Sequence, residues 1–134
     1  MVKSARTSAD TGRVATVLVC DDQPLLRDLM RAALSGLDYR IVEAGDGAES
    51  LRLARELRPD LVVLDMVLPD QSGLDVLADL RRDPELADTR VLLCTAHSVS
   101  LVGDRGSGLG ADRYLPKPFS PLELAEVVEE MLAP

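Results

Sequence analysis

The stretch DLVVLDMVLPDQSG, Asp60 to Gly73, decides the fold. Leu61, Val62, Val63 and Leu64 form an unbroken apolar run, the pattern of a strand buried on both faces. Asp65 then places a carboxylate where that strand ends. An apolar pair, the Leu68-Pro69 step and a polar turn closing on Gly73 follow.

Outward from this stretch, short apolar runs alternate with helical patterns. The strands are predicted at Val14–Cys20, Tyr39–Ala44, Leu61–Asp65, Arg90–Thr95 and Arg113–Pro116. A helix follows the first strand from Pro24 to Ser35, with Leu26, Leu29, Met30, Ala33 and Leu34 on its inner face. The second runs from Ala48 to Leu57, with Leu51, Ala54 and Leu57 inward, and stops at Pro59. The third starts near Gly73, carries Leu74, Val76, Leu77 and Leu80, and ends before Pro84. The last begins after Ser120, an N-cap with Glu123 three residues on, and ends near Leu132. Between Thr95 and Arg113, Gly103, Gly106, Gly108 and Gly110 fall so close together that only a short or frayed helix is expected. That segment is expected to be more mobile than the first helix.

Strand–helix alternation implies an α/β fold with a parallel sheet covered on both faces. The chain has 134 residues, enough for one domain with a real core, and 46% of them are hydrophobic. Residues 1–13 are expected to be a polar, disordered tail and residues 14–134 the domain. Aromatic residues make up only 2%, which disfavours a base-stacking surface. A formal net charge of -8 disfavours direct nucleic-acid binding by this chain. No apolar run is long enough to span a membrane, and the N-terminus lacks a secretory h-region. Cys20 and Cys94 lie in apolar runs and read as buried free thiols of a cytoplasmic protein.

In open parallel α/β sheets, ligands bind beyond the carboxyl ends of the strands. Asp21 and Asp22 follow the first strand, Asp65 ends the third, Thr95 ends the fourth and Lys117 follows the fifth. Each has an ordinary explanation by itself: N-capping, a turn, a strand residue, a solvated lysine. Together on one edge they make a site. Three carboxylates with no His or Cys among them suit a hard cation, Mg²⁺ first and Mn²⁺ as the alternative. Lys117 and Thr95 add donors for phosphoryl oxygens. A carboxylate can itself act as nucleophile in phosphoryl transfer, and Asp65 is the best placed.

These residues resemble a known family. Asp21-Asp22 after a strand, Asp65 with Leu68-Pro69 and Gly73, Thr95-Ala96, and Lys117-Pro118-Phe119 look like the receiver domain of two-component response regulators, over about residues 14–132. The resemblance implies a (βα)5 flavodoxin-like three-layer sandwich with strand order 2-1-3-4-5. It implies that Asp65 accepts phosphate from a sensor histidine kinase or phosphotransfer protein and that the output face then changes. It also implies Mg²⁺ bound by Asp22, by Asp21 through water, by Asp65 and by the backbone carbonyl of Val67. Thr95 and Lys117 would hold the phosphoryl group, Tyr114 would be the switch aromatic, and Lys117-Pro118 would be a cis peptide aiming Lys117 into the site. The protein would be a switch that promotes only its own phosphorylation and dephosphorylation, not an enzyme acting on other substrates.

Val67, two residues after Asp65, offers an attacking water no hydrogen bond. The resemblance implies that this position and His97, two residues after Thr95, border the route of the hydrolytic water; His97 is otherwise a solvated loop histidine, and a role on that route predicts a changed phosphoryl lifetime in His97→Ala. The expected target is a downstream protein, with no membrane or direct nucleic-acid contact by this chain, which reads equally as a stand-alone receiver or as the receiver piece of a longer regulator. A phosphorylation-dependent homodimer through the face around Tyr114 is a further expectation. The alternatives are a phosphate-independent interaction scaffold, the receiver fragment of a larger transcriptional regulator, or a Mg²⁺-dependent aspartyl phosphatase needing a second acid such as Asp70.

Overall fold

The computed structural model describes residues 14–96 and 110–133. The expected tail at 1–13, His97 and most of the glycine-rich segment lie outside the described residues.

Five strands, β1 (Ala15–Cys20), β2 (Tyr39–Ala44), β3 (Leu61–Asp65), β4 (Arg90–Thr95) and β5 (Arg113–Pro116), form one sheet in the order β2-β1-β3-β4-β5. All four pairings are parallel. The helices among the described residues are α1 (Pro24–Leu34), α2 (Gly47–Leu57), α3 (Gly73–Arg82) and α4 (Pro121–Leu132). β3 lies at the centre and is buried throughout, as its unbroken apolar run requires. β2 is an edge strand and is only partly covered.

Side-chain alternation divides the core in two. Leu18, Val62, Leu64, Val91 and Leu93 point to the face covered by α2 and α3, where Leu51, Ala54, Leu77 and Leu80 meet them. Val17, Val19, Leu61, Val63, Leu92 and Cys94 point to the other face, against Met30, Leu34, Leu124 and Val128 of α1 and α4.

Local chemistry fixes the helix starts. Asp46 accepts the amide hydrogen of Glu49 and Ser72 that of Leu74. At α4 the expected capping box closes, with Glu123 N to Ser120 Oγ at 3.0 Å and Ser120 N to Glu123 Oε1 at 2.8 Å. Leu29 departs from expectation: it is 55% exposed, and of its face only Met30 and Leu34 are fully buried. The contact stripe of α1 is narrower than its apolar pattern, and Leu29 overhangs a groove lined by Leu26, Pro118 and Phe119.

Candidate functional site

The strand ends bring the predicted acids together. One carboxylate oxygen from each of Asp21, Asp22 and Asp65 lies within 4.8 Å of the others. Alternation explains part of this: Asp21 and Asp65 continue the rows of Val17–Val19 and Leu61–Val63, and Lys117 continues that of Leu115. Lys117 Nζ stands 3.1 Å from Asp65 Oδ1 and 3.3 Å from Asp21 Oδ2. The Lys117-Pro118 peptide is cis.

Asp21 is fully buried, whereas Asp22 is exposed. Its backbone is held by Asp21 N to Ala44 O at 3.1 Å, and its carbonyl accepts from Arg27 Nη1 at 2.6 Å. Arg27 and Arg31 also grip Glu43, at 3.0 and 2.7 Å. The hydrogen bond from Arg31 leads the interactions that hold the Glu43 carboxyl below its usual range.

Burial, reinforced by the Asp21 charge, raises the pKa of Asp65; Lys117 and the Val67 amide, 3.3 Å from Oδ1, only partly offset this. Partial burial opposes the charge on Lys117, but Asp65 and Asp21 outweigh it and raise its pKa. One ammonium thus pairs with two of three clustered carboxylates. The excess of negative charge on an all-oxygen donor set fits a hard divalent cation.

The loop after Asp65 is closed on itself. Gly73 N donates to Met66 O at 2.7 Å, and Val67 pairs with Ser72 in an antiparallel bridge. A Cβ at Gly73 would lie 2.3 Å from Asp65 O and 2.8 Å from Met66 Cα, so only glycine fits. Asp70 is turned to α2 instead, accepting from Gly47 N at 2.7 Å and Ala48 N at 3.0 Å. Neither link was signalled by the sequence, because both depend on how loops meet.

Thr95 is buried and shares a cavity of about 350 Å³ with Asp22, Asp65, Met66, Val67 and Lys117. Its row is that of Val91 and Leu93, and its hydroxyl donates to Met66 Sδ at 3.3 Å. Val67 is 63% exposed at the cavity mouth. Tyr114, beside Leu93 on β5, is half-buried against the α2–α3 side of the core. Cys20 and Cys94 are free and buried, on strands separated by β3, and burial pushes both thiols up to about 12. Two strand spacings, about 9.6 Å, exceed disulfide reach. Among the described residues, no helix is long and apolar enough to cross a membrane.

A parallel five-stranded sheet with acids, a hydroxyl and a lysine at its carboxyl edge defines a class of signalling switch, and comparison with known proteins agrees. The family model of the response regulator receiver domain matches residues 17–129, and the chain belongs to that family. It is 47% identical over 125 residues to the probable transcriptional regulatory protein TcrX of Mycobacterium tuberculosis, covering 91% of this chain and 50% of that one. To the DNA-binding response regulator MtrA of Mycolicibacterium smegmatis it is 39% identical over 116 residues, covering 87% of this chain and 50% of that one. The chemotaxis response regulator CheY4 of Vibrio cholerae superposes with a TM-score of 0.84 at 27% identity, covering 88% of this chain and 98% of that one. The flavodoxin-like order 2-1-3-4-5 expected from the resemblance is the observed one.

These relatives correct the expected partners. The sequence reading set nucleic acid aside and looked to a separate downstream protein, yet the relatives are named as transcriptional and DNA-binding regulators. The chain spans about half the length of the curated relatives it matches. A net charge of -8 describes the surface of this chain alone and carries no information about what a receiver is joined to.

Proposed function

We propose that Asp65 is the phosphoacceptor of this receiver and that the chain is the regulatory part of a longer DNA-binding transcriptional regulator. The observation that carries the first half is the convergence of Asp21, Asp22 and Asp65 within 4.8 Å, with Lys117 3.1 Å from Asp65. The relatives support the second half. A cytoplasmic place belongs to the same reading, and buried free thiols suit a reducing compartment.

A carboxylate oxygen of Asp65 forms a bond to phosphorus as the phosphorus–nitrogen bond of a phosphohistidine donor breaks. The donor's imidazole nitrogen leaves with the bonding pair and takes a proton from water. Lys117, already beside Asp65, pairs with a phosphoryl oxygen. Asp21, Asp22, Asp65 and the carbonyl of Val67 would hold Mg²⁺, with Mn²⁺ as a substitute; when bound, the ion neutralises charge on the carboxylates and the incoming phosphoryl oxygens. Thr95 gives its hydroxyl to the phosphoryl group, and Tyr114 responds from the neighbouring strand. Hydrolysis by water at the cavity mouth, past Val67, releases inorganic phosphate and returns the carboxylate.

Asp70 gives a phosphatase reading no support, since its carboxylate is engaged with the amides of α2. The test is incubation with Mg²⁺ and acetyl phosphate, read by intact mass. One added phosphoryl group is expected, absent without Mg²⁺ and absent in Asp65→Asn. Labelling that persists in Asp65→Asn would move the phosphoacceptor elsewhere, and no labelling at all would favour the scaffold.

A further inference from the structure

We propose that Met66 is a positioning residue for this site: its thioether sulfur holds the Thr95 hydroxyl in the unphosphorylated protein and sets how readily that hydroxyl passes to a phosphoryl group on Asp65. The inference rests on the phosphoacceptor reading of Asp65 and adds to it a residue that neither the acids nor the lysine requires.

The contact follows from strand register. Leu64 pairs with Leu93 and Asp65 with Cys94, so one step further sets Met66 beside Thr95. The ladder continues that far, with Met66 N donating to Cys94 O at 2.9 Å. Both side chains fall on the α2–α3 face, in the rows of Val62–Leu64 and Val91–Leu93. The backbone of Met66 is held at both ends, because its carbonyl accepts from Gly73 N at 2.7 Å. The two backbones approach closely at that bond, since a Cβ on Gly73 would sit 2.8 Å from Met66 Cα. The side chain therefore starts from a fixed point, and its sulfur lies 3.3 Å from Thr95 Oγ1.

The chemistry of that bond suits a releasable catch. A hydroxyl has one hydrogen to donate, and while it points at sulfur it is withheld from a phosphoryl oxygen. Thioether sulfur is a weak acceptor, whereas an anionic phosphoryl oxygen makes short, strong hydrogen bonds. Thr95 is held in the resting state and is exchanged downhill when phosphate arrives. The methionine chain can then repack easily, because it is unbranched and flexible. It leans on the same apolar cluster as Tyr114, so the space it gives up or takes adjoins the aromatic that is to respond.

Two substitutions separate the sulfur from the shape. Met66→Leu keeps bulk and removes the acceptor; Met66→Gln keeps length and offers a stronger acceptor. With Mg²⁺ and acetyl phosphate, steady-state phosphorylation of Asp65 should rise about threefold in Met66→Leu and fall about threefold in Met66→Gln, the scale of one modest hydrogen bond. In a Thr95→Val background the three side chains at position 66 should give equal levels. Equal levels with Thr95 present, or differences that survive Thr95→Val, would overturn the proposal. Failure of the wild type itself to take phosphate would instead overturn the phosphoacceptor reading and this inference with it. A measurement that needs no change at Met66 is its methyl resonance, which should shift between wild type and Thr95→Val. An unmoved methyl would also overturn the proposal.

Discussion

Asp70 and Gly47 are joined by a 2.7 Å hydrogen bond, carboxylate to amide, across 23 residues of sequence. With Ala48 N at 3.0 Å on the other oxygen, the loop that follows Asp65 supplies a second cap to α2, beside its own Asp46. The bond to Gly47 leads those that hold the Asp70 carboxyl below its usual range. A depressed folded pKa gives stability that is fully present above the unfolded value and is lost as pH falls through the folded one. Asp70→Ala should therefore lower Tm at neutral pH, with Asp70→Asn between, and the gap should close in acid. Thermal melts by circular dichroism across pH check this; a gap that widens in acid would refute it.

The sign is opposite at Asp65. Its pKa is raised, so the folded chain holds that proton more tightly than the unfolded chain does. Stability falls as pH rises from the ordinary value of 3.8 through the raised folded value, and the full penalty remains at neutral pH. Asp65→Asn, which keeps shape without charge, should melt several degrees above wild type at pH 7, and the difference should shrink below pH 4. A lower Tm at pH 7 would mean that the contact with Lys117 outweighs burial.

Mg²⁺ should stabilise the folded chain by mass action. At a hundred times its Kd the gain is about 2.7 kcal/mol. Asp22, exposed and tied to no described partner that its loss would strand, is the residue to test. Asp22→Asn should leave Tm without Mg²⁺ nearly unchanged and abolish most of the Mg²⁺-dependent rise. Equal Mg²⁺ shifts in both proteins would place the ion elsewhere.

Gly73→Ala should be costly. The added Cβ meets backbone atoms, Asp65 O at 2.3 Å and Met66 Cα at 2.8 Å, which cannot swing aside as a side-chain tip would. Overpacking of this kind costs about 1–3 kcal/mol. Urea melts should show a lower midpoint, and acetyl-phosphate labelling of Asp65 should slow in the folded fraction. Wild-type behaviour in both would show that the turn yields more freely than its geometry suggests.

Much of this molecule is legible in its sequence. The runs at Tyr39–Ala44, Leu61–Asp65, Arg90–Thr95 and Arg113–Pro116 appear in the structure with those bounds, because uninterrupted or alternating apolar runs between polar breaks leave few alternatives. Asp21, Asp22, Asp65 and Lys117 converge because parallel strands present their carboxyl ends together. What the sequence does not disclose are meetings between loops. Asp70 reads as a turn acid until α2 is placed beside it. Arg81, in the last turn of α3, donates to Thr89 O at 2.6 Å, Ala87 O at 3.0 Å and Gly110 O at 2.7 Å, binding the end of α3 to the start of β4 and to the residue where the described chain resumes. Gly110 there has φ +93, a conformation only glycine takes readily. Leu29 fails for another reason: periodicity shows that a side chain is apolar on a given face but not how wide the contact on that face is.

The bond from Gly73 N to Met66 O has a practical side. It spans the first residue of α3 and the residue after Asp65, so neither can be displaced without straining or breaking it. The Gly73 amide is thus a native gauge for the mount of the carboxylate. Its exchange rate and chemical shift will register any pull on α3 or on the residue after Asp65, without a label having to be introduced.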